Sequence, residues 1–103
     1  MIKYKITQSN LEYTIEVKGH ANQNPYGSDI VCASVSTMLI MTLNLLEKLN
    51  LQSCNVREPI CDEGLFKVSI NMSNDTAIKI LDNLKESLDM LRMTYPKNIK
   101  YEK

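Results

Sequence analysis

Leu11-Glu12-Tyr13-Thr14-Ile15-Glu16-Val17-Lys18-Gly19 alternates apolar and polar residues, whereas Ser28-Asp29-Ile30-Val31-Cys32-Ala33-Ser34-Val35 opens an apolar pattern spaced by three and four. A period of two marks a half-buried strand, and a period near 3.6 marks an amphipathic helix. The switch within one short stretch decides for a mixed fold. Gly19 ends the strand, and Asn22-Gln23-Asn24-Pro25-Tyr26-Gly27 carries the turn-forming residues of a loop.

Towards the N-terminus, Ile2, Tyr4 and Ile6 alternate with lysines, which predicts a partner strand joined through the polar turn Thr7 to Asn10. The pair is a hairpin with one wet face. Towards the C-terminus, Ser28 or Asp29 can cap the helix, and Val31, Val35, Met38, Leu39, Thr42, Leu45, Leu46 and Leu49 are its core-facing positions, out to about Asn50. Apolar residues continue around it at Ile30, Ile40, Met41 and Leu43, which predicts burial on more than one side, the further side against a second subunit.

Asn55 to Ile60 is a weak strand that Pro59 confines to a sheet edge, and Asp62-Glu63-Gly64 turns the chain. Phe66, Val68, Ile70 and Met72 then alternate as a strand. Asn74 and Asp75 open a second helix with Ile78, Leu81, Leu84, Leu88 and Leu91 on one face, stopped by Pro96, and Ile99 and Tyr101 form a short last strand. The prediction is one α+β domain over residues 1–103, in the order ββαββα: a mostly antiparallel sheet of four to five strands with two helices packed on one face.

At 103 residues and 44% hydrophobic, the chain holds one core. Twelve basic residues balance twelve acidic ones without a basic run, which argues against direct binding to nucleic acid or to an anionic membrane surface. The N-terminus lacks the apolar core of a signal peptide, and no stretch approaches the roughly 18 to 20 apolar residues of a membrane span. The expected location is the cytoplasm. Cys32, Cys54 and Cys61 are an odd number without a C-x-x-C pair, so they are expected as free thiols, with no metal site and no cofactor. The methionines at 38, 41, 90 and 93 fall within the helices as packing residues, and Asp62 and Glu63 belong to a solvated turn.

The residues with chemical potential are His20, the sole histidine, and Cys32, twelve positions later at the start of the long helix. A thiol pKa of about 8.5 falls at a helix N-terminus beside an imidazolium, because the unpaired N–H groups and the positive end of the macrodipole favour the thiolate. His20, across a flexible loop bracketed by Gly19 and Gly27, could take the thiol proton and return it to a leaving amine. Ser36 lies one helical turn beyond Cys32 on the same face. On residue types alone a second reading stands beside this one: a small buried apolar cysteine and a solvated loop histidine.

Gly19-His20-Ala21, Tyr26-Gly27, Asp29-Ile30-Val31-Cys32-Ala33 and Ser36 together resemble the signature of the ribosomal-processing cysteine proteases, a family of small bacterial endopeptidases. The resemblance is strongest over residues 19 to 36, and the order of elements elsewhere is compatible with that family's compact fold. It implies cleavage of a short N-terminal extension from a large-subunit ribosomal protein precursor, after an aromatic pair. Cys32 would be the nucleophile and His20 the general base and acid, with Asp29 and Ser36 capping the helix and steadying the dyad. The loop Ala21 to Ser28, including Tyr26 and Gly27 and hinged at Gly19, would gate the substrate groove. A homodimer is also implied. Asn22, Gln23, Asn24 and Pro25 make the loop more polar than in a standard member. Two alternatives remain: a phage-encoded relative acting on capsid or scaffold proteins, and a non-catalytic dimeric binding module with an idle dyad.

Overall fold

The computed structural model describes residues 1–19, 28–50 and 65–102. Four strands and two helices follow in the order β1 (Ile2–Gln8), β2 (Glu12–Lys18), α1 (Ser28–Lys48), β3 (Leu65–Asn71), α2 (Asp75–Thr94) and β4 (Ile99–Tyr101). The strand expected at Asn55 to Ile60, the turn at Asp62 to Gly64, and Cys54 and Cys61 lie outside the described residues.

The sheet order is β3-β2-β1-β4. Pairing of β1 with β2 and of β2 with β3 is antiparallel, and β4 adds to the outer edge of β1 in parallel. The fold is therefore α+β with a mostly antiparallel sheet, as the periodicities indicate. Ser9 organises the hairpin turn: its Oγ accepts hydrogen bonds from the N–H groups of Leu11 and Glu12, at 3.2 and 3.0 Å. Leu11, which continues the alternation in sequence, sits on this turn and is 76% exposed, because the paired strand begins only at Glu12.

Register puts one apolar row behind the next. Tyr4 faces Val17, which faces Phe66; Ile6 faces Ile15, which faces Val68; and Tyr13 faces Ile70. All of these except the half-buried Ile6 are essentially inaccessible to solvent. The opposite face carries Lys3, Lys5, Glu16, Lys18 and Lys67, with Thr14 and Ser69 hydrogen-bonded across strands at 2.8 Å.

Helix α2 begins as expected at Asn74, whose Oδ1 accepts the Ala77 N–H at 3.0 Å. Leu81, Leu84 and Leu88 are buried with Ala77, while Ile78 and Leu91 pack half-buried at the margins. Helix α1 buries Val31, Val35, Leu39, Thr42 and Leu46. Met38 is half-buried, but Leu45 and Leu49 are 44% and 46% exposed, so the core stripe is narrower than expected. Within this chain α1 is buried along one side only; Ile30, Ile40 and Met41 are exposed. With a mean hydropathy of 1.7, Asp29–Lys48 is long and apolar enough to cross a membrane by length and composition, contrary to the sequence expectation. It nevertheless packs as the core helix of this fold, its buried stripe shared with the sheet and α2.

A polar cluster fastens the short parallel strand. The Tyr4 hydroxyl donates to Asp89 Oδ1, Lys85 Nζ donates to Oδ2 at 2.8 Å, and Arg92 Nη2 approaches Oδ1 at 3.5 Å. Tyr101 packs edge-on against Tyr4, with ring centroids 5.3 Å apart, and its hydroxyl accepts the Ile6 N–H at 3.2 Å. Burial pushes the Asp89 carboxyl up. The hydrogen bonds from Lys85 and Tyr4, with the nearby charges of Lys85 and Arg92, outweigh burial and hold it below the ordinary carboxylate range. Burial and then the bond to Asp89 push the Tyr4 hydroxyl well above its usual value.

Two predictions follow from these contacts. Asn74→Ala should lower stability by about 1 kcal/mol in urea denaturation, the usual loss of a cap. Because the Asp89 pKa is depressed on folding, its contribution is present above the ordinary aspartate value of about 3.9 and is lost as pH falls through the folded value. The melting temperature of Asp89→Asn should thus lie below wild type at neutral pH, and the gap should close in acid.

Candidate active site

The register of α1 decides what Cys32 is. Burying Val31, Val35 and Leu39 leaves Cys32 and Ser36, one turn apart, half-buried along one margin of the core stripe; Ala33 and Thr37 beyond them are exposed. Cys32 is a free thiol at the rim of the core, not a small residue sealed within it. This position combines partial desolvation with access for a substrate or reagent. Ser36 is on the same margin, within the reach of an i, i+4 neighbour.

The helix starts at Ser28, so Asp29 lies in its first turn as an exposed acid and is not the cap. Cys32 is accordingly the fifth helical residue, at the opening of the second turn, one step beyond the first turn expected from an Asp29 cap. The electrostatic argument survives this shift, because the Cα–Cβ bond of a helical residue tilts towards the N-terminus and carries the thiol back over the turn whose N–H groups lack helical partners. The positive end of the macrodipole acts there.

Gly19 is the last described residue before His20. It has φ +90°, and its Cα lies so close to the first strand that a Cβ would fall 2.5 Å from the Met1 carbonyl oxygen. His20 and the loop residues Ala21, Tyr26 and Gly27 lie outside the described residues, as does the Ser28 side chain. No group of three or more His, Cys, Asp or Glu side chains among the described residues is placed to hold a metal ion.

A groove of about 460 Å³ runs between α1 and α2, lined by Met38, Met41, Leu45, Ile80 and Leu84 with Lys79 among the polar residues at its margin. It begins six residues beyond Cys32, about 9 Å along the helix axis at 1.5 Å per residue, and is separate from the thiol.

The family profile described as cysteine protease Prp matches residues 1–100. The chain belongs to the cysteine protease Prp family. Staphylococcus aureus ribosomal processing cysteine protease Prp is 32% identical over 83 residues, which cover 80% of this chain and 77% of the relative. The crystal structure of that species' Prp with a substrate peptide superposes with a TM-score of 0.78 at 28% identity, covering 99% of this chain and 98% of the other. The same enzyme with a covalently linked product peptide gives a TM-score of 0.74 at 30% identity over the same shares. A Streptococcus mutans protein gives 0.72 at 25% identity, covering 99% and 92%. The protein is a cysteine protease, and of its two described sulfhydryl-flanking hydroxyl positions on α1, Ser36 shares the margin of Cys32 whereas Ser34 lies on the opposite one.

This placement has a direct chemical consequence. An ordinary thiol of pKa about 8.5 is only roughly 0.3% thiolate at pH 6. In native protein at that pH, iodoacetamide should modify Cys32 ahead of Cys54 and Cys61 in peptide mapping, and guanidinium should abolish the preference.

Proposed function

We propose that this protein is an endopeptidase that removes the N-terminal extension of a large-subunit ribosomal protein precursor, using Cys32 as nucleophile and His20 as general base and acid. The observation that carries the reading is the accessible Cys32 near the N-terminus of α1, in a fold that superposes over 99% of its length on a protease crystallised with substrate and with a covalently linked product.

In this mechanism His20 accepts the Cys32 proton and Sγ attacks the scissile carbonyl carbon, placing the former π electrons on oxygen. Backbone N–H groups at the start of α1 stabilise that oxyanion. Collapse breaks the C–N bond, His20 gives its proton to the departing amine, and a thioester remains on Cys32. Water, deprotonated by His20, attacks the thioester; the acid product leaves and Cys32 regains its proton. Ser36 and Asp29 steady the dyad from the same helix, and the loop from Ala21 to Ser28 gates access to it. No step calls for a cofactor.

The protein would act in the cytoplasm as a homodimer. Ile40, Met41, Leu45 and Leu49 leave an open apolar side on α1, continuous through Met41 and Leu45 with the groove against α2, and a second copy would cover it.

Wild type, Cys32→Ala and His20→Ala should be incubated with a peptide spanning the extension of the host's own ribosomal protein and read by mass spectrometry. The expected result is a single cut by wild type, none by Cys32→Ala, and a rate 10²- to 10⁴-fold lower for His20→Ala. Cleavage by Cys32→Ala would overturn the nucleophile. An uncut peptide alongside rapid alkylation of Cys32 would move the substrate to a phage structural protein.

A further inference from the structure

The feature not used so far is how tightly the residue before His20 is held. Gly19 adopts φ +90°, a conformation that side chains of L-residues rarely take, and it abuts the Met1 carbonyl so closely that a Cβ would sit 2.5 Å from that oxygen. A contact this short can be relieved only if one of the two backbones moves.

The Met1 side is fixed. Ile2, the next residue, is fully buried, and its N–H donates to the Asn98 carbonyl at 2.9 Å. Asn98 is itself 3% exposed, and its own N–H donates to the Tyr95 carbonyl at 3.0 Å. Beyond it, β4 pairs in parallel with β1 from Ile99 against Ile2 to Tyr101 against Tyr4. The turn after α2 and the last strand thus brace the first residues of β1, and these form the wall against which Gly19 rests.

We infer that Gly19 is a positioning residue for His20: braced through Met1 and Ile2 by the Asn98 turn, it acts as a fixed pivot that sets the direction in which the chain enters the histidine. This reassigns Gly19 from a hinge of the loop to an anchor at its base. The inference rests on the His20/Cys32 reading above. Because the braced wall cannot yield cheaply, an added Cβ displaces the Gly19 side, and the displacement passes straight to residue 20. Misplacing a catalytic group by about 1 Å lowers a rate on the order of 10²-fold.

The test compares Gly19→Ala with Asn50→Ala and His20→Ala. Asn50 is the other described residue with a clearly positive φ, at 57°, and it lies at the far end of α1. Its substitution reports loss of stability without a change near the thiol. For each variant the folded fraction is measured by circular dichroism, kcat and KM are measured per folded molecule on the peptide cut by wild type, and the pH dependence of Cys32 alkylation is recorded.

Gly19→Ala is expected to lower kcat 10- to 100-fold with KM within about threefold, and to move the alkylation profile towards that of His20→Ala. Asn50→Ala is expected to keep the wild-type kcat. A kcat within twofold of wild type for Gly19→Ala, with His20→Ala inactive, overturns the inference and leaves the dyad standing. An active His20→Ala overturns the dyad itself. Should Gly19→Ala fold too poorly to assay, Gly19→Asn is read by the same criteria, since Asn is better tolerated at positive φ and carries the same Cβ.

Discussion

The rotational setting of α1 is the constraint on which the candidate site depends. Val31, Val35, Leu39, Thr42 and Leu46 share one side of the helix, and burying them against the sheet and α2 leaves no freedom in how the helix turns about its axis. Cys32 and Ser36 follow passively onto the margin. A rotation by one residue, about 100° at 3.6 residues per turn, would bury the thiol or turn it fully to water. Each alternative would remove either the partial desolvation or the access that a nucleophile needs.

The sheet supplies the other half of the frame. Strand β2 sits between β1 and β3 and ends at Gly19, so the chain is delivered towards His20 from an interior strand of the sheet. The brace at its end is assembled from distant sequence. Tyr4 and Tyr101 meet edge-on, Asp89 of α2 takes the Tyr4 hydroxyl, and the backbone of Asn98 holds Ile2. The ion pairs of Asp89 with Lys85 and Arg92 are partly exposed, so their worth lies more in orienting Asp89 towards Tyr4 than in net attraction.

Much of the architecture was legible because its signals are local. The alternation in Tyr13, Ile15 and Val17 or in Phe66, Val68 and Ile70 is a direct image of the pleat, and Asn74 announces α2 by the oxygen it offers to the Ala77 N–H. The misses share a cause. Leu45 and Leu49 satisfy the helical spacing but fall where no second layer of this chain covers them, and Leu11 keeps the strand period after the pairing has stopped. Periodicity records which positions share a face; it does not record how far the opposite surface extends.

For the site, the chemistry was local and the geometry was not. Gly19-His20, Cys32 and Ser36, with their spacing, indicated a thiol protease from residue type and resemblance alone, because a nucleophile, a base and a helix start are all encoded within eighteen residues. Only the tertiary structure decided that Cys32 lies at the rim of the core, that α1 begins before Asp29, that β4 runs parallel to β1, and that Gly19 rests on the Met1 carbonyl. Each of these joins segments that periodicity treats separately, and close packing between them, not any local preference, selects one arrangement.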